Sequence, residues 1–572
     1  MYILGISAMA HDPAAALLAQ GRIIAAMEES KLTRSRLTLG IPREAIRYCL
    51  DTAGISWRDL DRIAIAGCPG RAWRRETIFR ARVAPRSPRS SVYFANKAFG
   101  ELGRELNNIR ILRELRDAPS AIAEFDHHLS HAASAYYASN FDRALIVSLD
   151  ERGDSRAGFV GLGHGSSISE IDSISLPHSF AWLFSQITRL LGFAPHRDEH
   201  KTQWLSLSGA PAHLDSFLDM LRWQPGGSPH LNLKYFRREF GTELSFAPGF
   251  YRGLGIADAD PQAHSLQLEA QQRADIAASL QKALSTALSE WLESLRNKTK
   301  ERYLCLAGGL FLNPLLVASL ESNTRFDAIF VQPAAGNEGT ALGAAWLAWH
   351  QDAQHARADH LSNLYFGPSS SNEEIKAVLD NCKAPYRWCE SEDHKIDEAL
   401  RLLLAGKIVA WFQGAAEFGP RALGNRSLLA YPWAPYVQEN LNDYIKHREP
   451  FRPFALSIPA EDCAQYFDAS ANACFMTTMA MPKQPALKLL GELPGFLTGN
   501  LARLHVVRRE DNALFWKLLK KTGERGPAPM LVNTSFNLFG EPLVITPRDA
   551  VRSYYCSGTD ALIPGSFLLT KR

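Results

Sequence analysis

Residues 125–154 read FDHHLSHAASAYYASNFDRALIVSLDERGD, and this stretch predicts a helix followed by a buried strand. His127 and His131 are four positions apart, a spacing that places two side chains on one face of a helix. The segment 128–138 contains neither proline nor glycine, which favours that helix. The apolar run 143–150 then predicts a buried strand that ends in an aspartate.

The two imidazoles, together with the carboxylate of Asp150, predict a metal site. Nitrogen and carboxylate oxygen are donors that divalent transition metals accept in proteins. The alternative is a polar helix face beside an ordinary aspartate at a strand end, because paired histidines are common on helices. The spacing alone leaves both interpretations open.

Composition restricts the class of protein. A chain of 572 residues is too long for one hydrophobic core, so at least two domains are expected. A net charge of +3 gives no basic field for a nucleic-acid partner. No apolar run is long enough to cross a membrane, and the first residues lack the basic stretch of a signal peptide. Eight cysteines without a C-x-x-C pair indicate reduced thiols and a cytoplasmic location.

A repeated pattern predicts the fold of the first part of the chain. Residues 2–7 (YILGIS) predict a strand, His11 and Asp12 lie in the turn after it, and two strands joined at Gln20–Gly21 follow. Residues 143–163 repeat the order of strand, acidic turn and second strand. A two-lobed, actin-like α/β fold would contain such a duplication.

Glycine-rich loops after strands indicate a nucleotide cleft. The first follows the strand in 302–313 and contains Gly308 and Gly309, and the second lies at 336–343, before a predicted helix. Such loops let backbone N–H groups approach phosphates, although any tight turn can also use glycine. Residues 178–209 predict a helix and then a polar loop around 198–201.

A polar stretch at 351–364 marks a boundary, so we predict domains at 1–355 and 356–572. The second domain begins with predicted helices at 372–381 and 394–405 and a strand in KIVAWF. The arginine-rich segment 71–116 is either a surface for an anionic partner or a membrane, or a solvated insertion whose charge nearby acids balance, and the insertion is favoured.

Cations and amides in loops rich in glycine, proline and phenylalanine form a second cluster. Guanidinium groups donate paired hydrogen bonds to phosphates, so these loops predict a polyanion site, with a surface ion-pair network as the alternative. The residues are Arg421, Arg426, Lys446, Arg448, Arg452, Arg503, Asn533, Ser535 and Asn537.

Several motifs, above all EFGPRALGNRS (417–427) and NTSFNLFGEP (533–542), resemble the O-carbamoyltransferase family. That family includes nodulation-factor and antibiotic carbamoyltransferases such as the tobramycin enzyme. HDPAAAL, CLAGGLFLN and IKHREPFRPFA extend the resemblance over most of the chain. It implies an N-terminal actin-like (ASKHA, threonylcarbamoyltransferase-type) domain and a C-terminal YrdC-like α/β domain.

The resemblance also implies a reaction. The C-terminal domain would form carbamoyl adenylate from ATP and carbamoyl phosphate. The N-terminal domain would transfer the carbamoyl group to a hydroxyl of a small molecule such as a secondary metabolite, an antibiotic or a glycan. The expected ions are Fe²⁺ or a similar divalent metal, with Mg²⁺ in addition, and no nucleic acid or membrane partner is expected. A homodimer is compatible with the resemblance.

Site residues follow from the matched positions. The metal ligands would be His127, His131, Asp150 and Asn337, and His11 would act as the base that deprotonates the acceptor. Arg421, Lys446 and Arg452 would be catalytic in the second domain. The donor-binding set would be Arg421, Lys446, Arg448, Arg452, Arg503, Asn533 and Ser535, with Gly308, Gly309 and Asn313.

The chain departs from the family pattern at several positions. Asn337 stands where the family has a metal-binding aspartate, and Glu151 stands where a glycine usually follows Asp150. The H-V-D-G segment before Arg503 is missing, and TQWLSLSG (202–209) replaces a Met-Gly-Leu-Ala type segment. Two alternatives therefore stay open. One is a catalytically impaired nucleotide-binding scaffold, and the other is a threonylcarbamoyl-type transferase acting on tRNA, which the near-neutral charge and the second domain disfavour.

Overall fold

The computed structural model of the chain describes residues 1–8, 11–36, 38–68, 121–154, 156–238, 244–256, 268–351, 356–357 and 360–571. The arginine-rich segment 71–116 lies outside these residues. The chain divides into two compact units. The first contains Met1–Ile24 and Thr38–His360, and the second contains Ala25–Leu37 and Leu361–Arg572. The second unit therefore includes an early segment that the continuous range 356–572 does not contain.

The described residues up to position 331 form fourteen strands. They are β1 (Tyr2–Ser7), β2 (Ala14–Ala19), β3 (Arg22–Glu28), β4 (Arg62–Ala66), β5 (Ala121–Phe125), β6 (Arg143–Gly153), β7 (Arg156–His164), β8 (Ser167–Ser175), β9 (Leu221–Arg222), β10 (His230–Leu231), β11 (Phe236–Arg238), β12 (Leu244–Phe246), β13 (Tyr303–Ala307) and β14 (Ala328–Val331).

Helix α1 (Glu29–Thr33) follows β3 and belongs to the second unit. The helices of the first unit are α2 (Arg43–Ala53), α3 (His127–Ala138), α4 (Phe180–Leu190), α5 (Glu199–Leu205), α6 (Leu214–Met220), α7 (Pro248–Gly253), α8 (Ala270–Thr299), α9 (Pro314–Asn323) and α10 (Gly339–His350).

The first unit contains two five-stranded sheets with the same topology. Their strand orders are β3-β2-β1-β4-β5 and β8-β7-β6-β13-β14. In each sheet the central strand, β1 or β6, pairs antiparallel with the strand after it and parallel with the next strand of its sheet. The duplication predicted from the sequence is confirmed, and the repeated strand order belongs to a mixed α/β fold.

Helix α10 packs closely on two neighbouring elements, β1 and α3. A side-chain carbon at Gly5 would lie 1.9 Å from Ala341 O, and one at Gly343 would lie 1.8 Å from Ser130 O. Real side-chain carbons never come this near, so both contacts require glycine. The close approach to Ser130 fixes the position of α3.

Helix α5 corrects one prediction, because the segment 198–201 is not a polar loop. Asp198 accepts a hydrogen bond from Ala194 N (3.2 Å), and the helix begins at Glu199. Thr202, Gln203 and Trp204 are buried on its inner face. The charged residues of its first turn resemble a loop in sequence, whereas they are the normal acidic start of a helix.

The second unit is built on one mixed sheet of eleven strands. Its strands are β15 (Arg387–Trp388), β16 (Val409–Phe412), β17 (Arg426–Ala430), β18 (Ala455–Pro459), β19 (Phe467–Asp468), β20 (Met479–Pro482), β21 (Leu497–Thr498), β22 (Leu501–Val507), β23 (Leu531–Ser535), β24 (Ala561–Pro564) and β25 (Phe567–Thr570). Strands β16 and β24 are parallel, as are β18 and β22, whereas β16 and β17 are antiparallel.

Seven α-helices accompany this sheet in the described residues after 360. They are α11 (Asn372–Asn381), α12 (Glu392–Leu404), α13 (Val437–Glu439), α14 (Ala460–Tyr466), α15 (Gln484–Leu490), α16 (Ala513–Arg525) and α17 (Pro547–Tyr555). The predicted helices at 372–381 and 394–405 are confirmed. A π-helix, Asn440–Lys446, continues from α13.

The early segment is held in the second unit by a buried ion pair. Lys31 Nζ lies 2.8 Å from Glu28 Oε1 and donates to the carbonyl oxygens of Glu417 and Gly419. Glu28 also accepts a hydrogen bond from Gly419 N at 2.9 Å. These bonds hold Glu28 and Lys31 against residues 417–419 of the second unit. Within the described ranges, no helix is both long and apolar enough to cross a bilayer.

Candidate metal centre and anion site

Helix α3 and strand β6 bring together the three predicted ligands of the first unit. The Asp126 side chain accepts a hydrogen bond from Leu129 N (3.0 Å), so the helix starts with His127 in its first turn. His131 Nε2 lies 3.1 Å from Asp150 Oδ2, and His127 Nε2 lies 3.7 Å from the same oxygen. The three ligand atoms lie within 4.8 Å of one another.

The neighbouring backbone holds this cluster in place. Gly153 leaves room for the His127 ring, since a side-chain carbon there would lie 2.0 Å from Cδ2 of that ring. Asp154 accepts from His127 N at 2.8 Å, and Ser179 Oγ donates to Asp150 O at 3.0 Å. The ligand positions are therefore fixed by groups that are not ligands themselves.

The chemistry of the donor set fits a divalent metal ion. His127 Nε2 is buried and has no hydrogen-bond partner among the described residues. Burial lowers the pKa of His131, which favours the neutral imidazole that binds metals. Burial opposes ionisation of Asp150, but the neighbouring imidazoles of His127 and His131 outweigh it and hold the pKa of this carboxyl well below its usual range. A carboxylate between two buried imidazoles matches the ligands expected for Fe²⁺ and similar ions.

Asn337, the expected fourth ligand, is buried just before α10. Its Nδ2 atom lies 3.2 Å from His11 Nε2, and its Oδ1 atom has no hydrogen-bond partner in the described part of the chain. An amide oxygen is a neutral metal ligand, weaker than the carboxylate of an aspartate. The side chain thus offers an oxygen but no charge.

His11 contacts Asn337 and its side chain is half exposed. Its Nδ1 atom is 2.7 Å from Asp12 Oδ2. Partial burial opposes protonation, but this hydrogen bond and the charges of Asp12, Asp150 and Glu151 raise the pKa of His11 to about 9. The predicted role as a base requires the neutral imidazole, and a cation bound near Asp150 would favour that form.

His196 and Glu151 lie beside His11 and Asp150 and were not predicted as site residues. His196 Nδ1 lies 3.3 Å from Glu151 Oε2, and the rings of His196 and His11 are 5.8 Å apart. His196 has a φ of +63°, a left-handed conformation that is rare outside glycine and asparagine. The departure from glycine at position 151 was the one sequence signal that pointed to this pair.

The glycine pair after β13 packs against the metal cluster. Gly308 N donates to Ala335 O (2.9 Å), and a side-chain carbon at Gly308 would lie 2.2 Å from Leu149 O. A side-chain carbon at Gly309 would lie 3.1 Å from Asp150 Oδ1. Asn313 caps α9 by accepting from Leu316 N (3.1 Å) and donates to Gln281 Oε1 (2.7 Å). These residues shape the neighbourhood of Asp150.

Cations of the second unit form a buried cluster. Burial and the charge of Arg452 lower the pKa of Arg421 to about 10. Burial and Arg452 likewise lower the pKa of Arg448 to about 9. The pKa values of Lys446 and Arg503 lie well below their usual ranges, because both are buried beside other cations of the cluster. Mutual repulsion of this kind is relieved when a polyanion binds.

Short contacts orient individual members of this cluster. Lys446 Nζ donates to Ser535 O and to Asn537 Oδ1, the latter at 2.9 Å. Arg448 Nε donates to Asn442 Oδ1 (2.7 Å), and its guanidinium lies 4.1 Å from the centre of the Phe454 ring. Lys446 ends the π-helix, so the prediction of a loop at this position is wrong.

Glu417 organises the loop that carries Arg421. Its Oε1 atom accepts hydrogen bonds from Leu423 N (2.8 Å), Asn425 N (2.9 Å) and Arg426 N (3.2 Å). A carboxylate with several backbone donors is a strong local constraint. The conformation of the EFGPRALGN segment therefore follows from one buried glutamate.

Arg426 is not available to an anion, contrary to the sequence interpretation. The residue is fully buried at the start of β17, and its guanidinium lies 3.8 Å from the centre of the Phe412 ring. It donates to the carbonyl oxygens of Gln413, Asn425, Pro368 and Gly414. Arg426 is therefore a structural residue.

Asn533 and Ser535 lie in β23 behind the cations. Asn533 Nδ2 donates to Ser457 Oγ (3.1 Å) and to Ala422 O (3.3 Å), and Ser535 Oγ donates to Asn537 Oδ1 (2.9 Å). Both side chains hold loops that carry cations, since Ala422 follows Arg421 and Asn537 contacts Lys446.

Arg36 belongs to the same cluster and was missed by the sequence analysis. Its charge contributes to the lowered pKa of Lys446, and its Nη2 atom donates to Glu541 O at 2.9 Å. The residue lies in the early segment that folds with the second unit. Only this long-range arrangement brings it to the site, so no local pattern could have identified it.

Comparison with known proteins gives matches over most of the chain. Residues 2–346 match the model of the carbamoyltransferase N-terminus, and residues 400–571 match that of the carbamoyltransferase C-terminus. An uncharacterized protein from Synechocystis is 34% identical over 100% of this chain and 97% of its own length. Nodulation protein NolNO from Sinorhizobium fredii is 32% identical over 98% of this chain and 79% of its own length. Nodulation protein NolO from Bradyrhizobium diazoefficiens is 31% identical, covering 78% of this chain and 79% of that protein.

Proposed function

The chain belongs to the carbamoyltransferase family, and we propose that it is an ATP-dependent O-carbamoyltransferase for a small-molecule acceptor. The second unit would activate the carbamoyl group and the first unit would deliver it. With water, carbamoyl phosphate and ATP give carbamoyl adenylate, phosphate and pyrophosphate. The adenylate and an acceptor hydroxyl then give the carbamate ester and AMP.

The buried cation cluster is the observation that carries the first half of this proposal. ATP and carbamoyl phosphate are both polyanions, and they approach each other only where fixed positive charge offsets their repulsion. Lys446 is buried, Arg421 and Arg448 are partly buried, and the pKa values of all three are lowered. A bound anion is therefore favoured both by attraction and by relief of the repulsion between cations. Arg452 and Arg503 extend the same positive region.

The metal cluster supports the second half. His127, His131 and Asp150 would hold a divalent ion such as Fe²⁺, with the Asn337 amide oxygen as a further donor. When bound, such an ion polarises a carbonyl oxygen and so activates an acyl-type group for attack. His11, whose side chain is half exposed, would take the proton of the acceptor hydroxyl in its neutral form.

Release of pyrophosphate without any acceptor tests the proposal. The intact protein is incubated with ATP, Mg²⁺ and carbamoyl phosphate, and we expect pyrophosphate that depends on both donors. Replacing Lys446 with methionine removes a charge at the centre of the cluster and should slow release about 100-fold. The matched control Arg525→Ala removes a cation that is half exposed in α16 and should release pyrophosphate at the original rate. Absence of pyrophosphate from folded, unaltered protein would contradict the proposed activity.

A further inference from the structure

A short loop between β23 and α17 connects an exposed aromatic ring to the cation cluster. The loop begins at Asn537, whose Oδ1 atom accepts from Lys446 Nζ at 2.9 Å. Phe539 stands near its middle and is 64% exposed, one of the most exposed large apolar side chains in the described residues. Gly540, with a φ of +79°, then turns the chain back.

Both ends of this loop are fixed. Asn537 Nδ2 donates to Glu541 O (2.8 Å), and Glu541 N donates to Leu538 O (3.2 Å). The Glu541 carboxylate binds Arg34 Nη2 at 3.1 Å and also binds Arg552. Isolated exposed apolar residues are common and need no explanation. Phe539 differs from such residues because five polar contacts hold its loop. These contacts fix the position of the loop relative to the cations.

The distances place the ring within reach of a bound nucleotide. Two residues of chain span about 7 Å at most, so the Phe539 backbone lies within about 7 Å of Asn537, which contacts Lys446 directly. A nucleotide with its phosphates on the cations extends its base over a similar distance. Aromatic side chains beside a positively charged groove are the usual platform for nucleobases, since every base presents a flat π surface.

We propose that Phe539 binds the base of the nucleotide by stacking, while the cation cluster binds its phosphates. The inference rests on the proposed use of ATP and adds the recognition of the nucleobase to it. Pyrophosphate and carbamoyl phosphate have no base, so Phe539 contributes to the binding of ATP and not to theirs.

Tyr444 provides a matched control for Phe539. It lies in the π-helix that ends with Lys446 and is 67% exposed, close to the value for Phe539. Residues two apart in a helix face different directions, so the Tyr444 ring points away from the side that carries Lys446. Replacement of Tyr444 therefore removes an equally exposed ring without removing a stacking partner.

Calorimetric titration of the full-length protein with ATP and separately with pyrophosphate tests the inference. Phe539→Ala should raise the Kd for ATP about tenfold and leave the Kd for pyrophosphate unchanged. Phe539→Trp should retain ATP binding and show quenching of the new tryptophan when ATP is added. Tyr444→Ala should bind both ligands like the unaltered chain.

Each remaining outcome contradicts the inference in a recognisable way. Unchanged ATP binding by Phe539→Ala would overturn base stacking and leave the proposed adenylation intact. An equal loss of ATP and pyrophosphate binding would mean that the loop positions cations only. If the unaltered chain binds neither ligand, the proposed function fails together with this inference.

Discussion

His128 and His131 are buried on the same helix, yet only His131 points to Asp150. His128 Nδ1 lies 3.2 Å from Ser148 Oγ, and burial lowers the pKa of His128 to about 3, which keeps it neutral. We expect His131→Ala to abolish stoichiometric binding of Fe²⁺ in equilibrium dialysis under reducing conditions. His128→Ala should lose about 2 kcal/mol of stability through its cavity and still bind the ion.

The comparison of these two variants separates ligation from packing. If both lose the metal to the same extent, helix α3 responds as a whole and His131 has no special role. If neither loses it, the three-residue site in the first unit is wrong. Circular dichroism and a thermal unfolding curve for each variant verify that the helix is intact.

Single residues also show which parts of the candidate sites could be predicted from the sequence and which could not. His127 and His131 could be predicted because their spacing and the helix that contains them are local properties. Arg426 and Arg448 look alike in sequence, each near glycine or proline and an aromatic residue. Only the folded chain shows that carbonyl oxygens enclose Arg426, whereas Arg448 faces other cations.

At the scale of elements, the contact between α10 and α3 determines where the metal ligands lie. Gly343→Ala would place a carbon 1.8 Å from Ser130 O, and this oxygen belongs to the turn between His127 and His131. Overpacking costs about 1–3 kcal/mol, partly offset by the better helix propensity of alanine. We expect a loss of about 2 kcal/mol in chemical unfolding and reduced Fe²⁺ binding.

Gly227→Ala is the control for that substitution. The nearest atom to a side-chain carbon at Gly227 is Gln224 O at 3.5 Å, an ordinary contact. Its stability should change by less than about 0.5 kcal/mol. Equal effects of the two substitutions would show that the close approach of α10 to α3 has no particular importance.

Most elements of the first unit were predictable because their signals are local. The hairpin of β2 and β3 follows from two apolar runs around Gln20–Gly21, and both strands are present. Helix α5 was missed because its inner face is buried only by tertiary packing. The π-helix that ends at Lys446 was missed for a related reason. Its pattern of hydrophobic residues does not distinguish it from a loop that packs against the core.

At the scale of the whole molecule, the near-zero net charge conceals the cation cluster of the second unit. A chain with a net charge of +3 gives no sign of a strongly basic site, because acids elsewhere offset the cations in the total. The assignment of residues 25–37 to the second unit is equally invisible in sequence, since it depends on the Lys31–Glu28 pair and its carbonyl partners. Long-range contacts therefore set both the boundary and the charge of the anion site.

The buried cations make ATP binding dependent on pH. In the free protein, burial and Arg452 lower the pKa of Arg448 to about 9, and the pKa of Lys446 is also lowered. A bound polyanion favours the charged forms, so the complex holds more protons than the free protein at high pH. Affinity should be full below about pH 9 and fall as the pH rises further, by up to about tenfold per unit for each proton.

Titration between about pH 8 and 10 isolates this effect, because the phosphates of ATP are already ionised there. Arg448→Gln should weaken binding and flatten the profile, whereas an unaltered chain with pH-independent affinity would mean that the cations are not the ATP site.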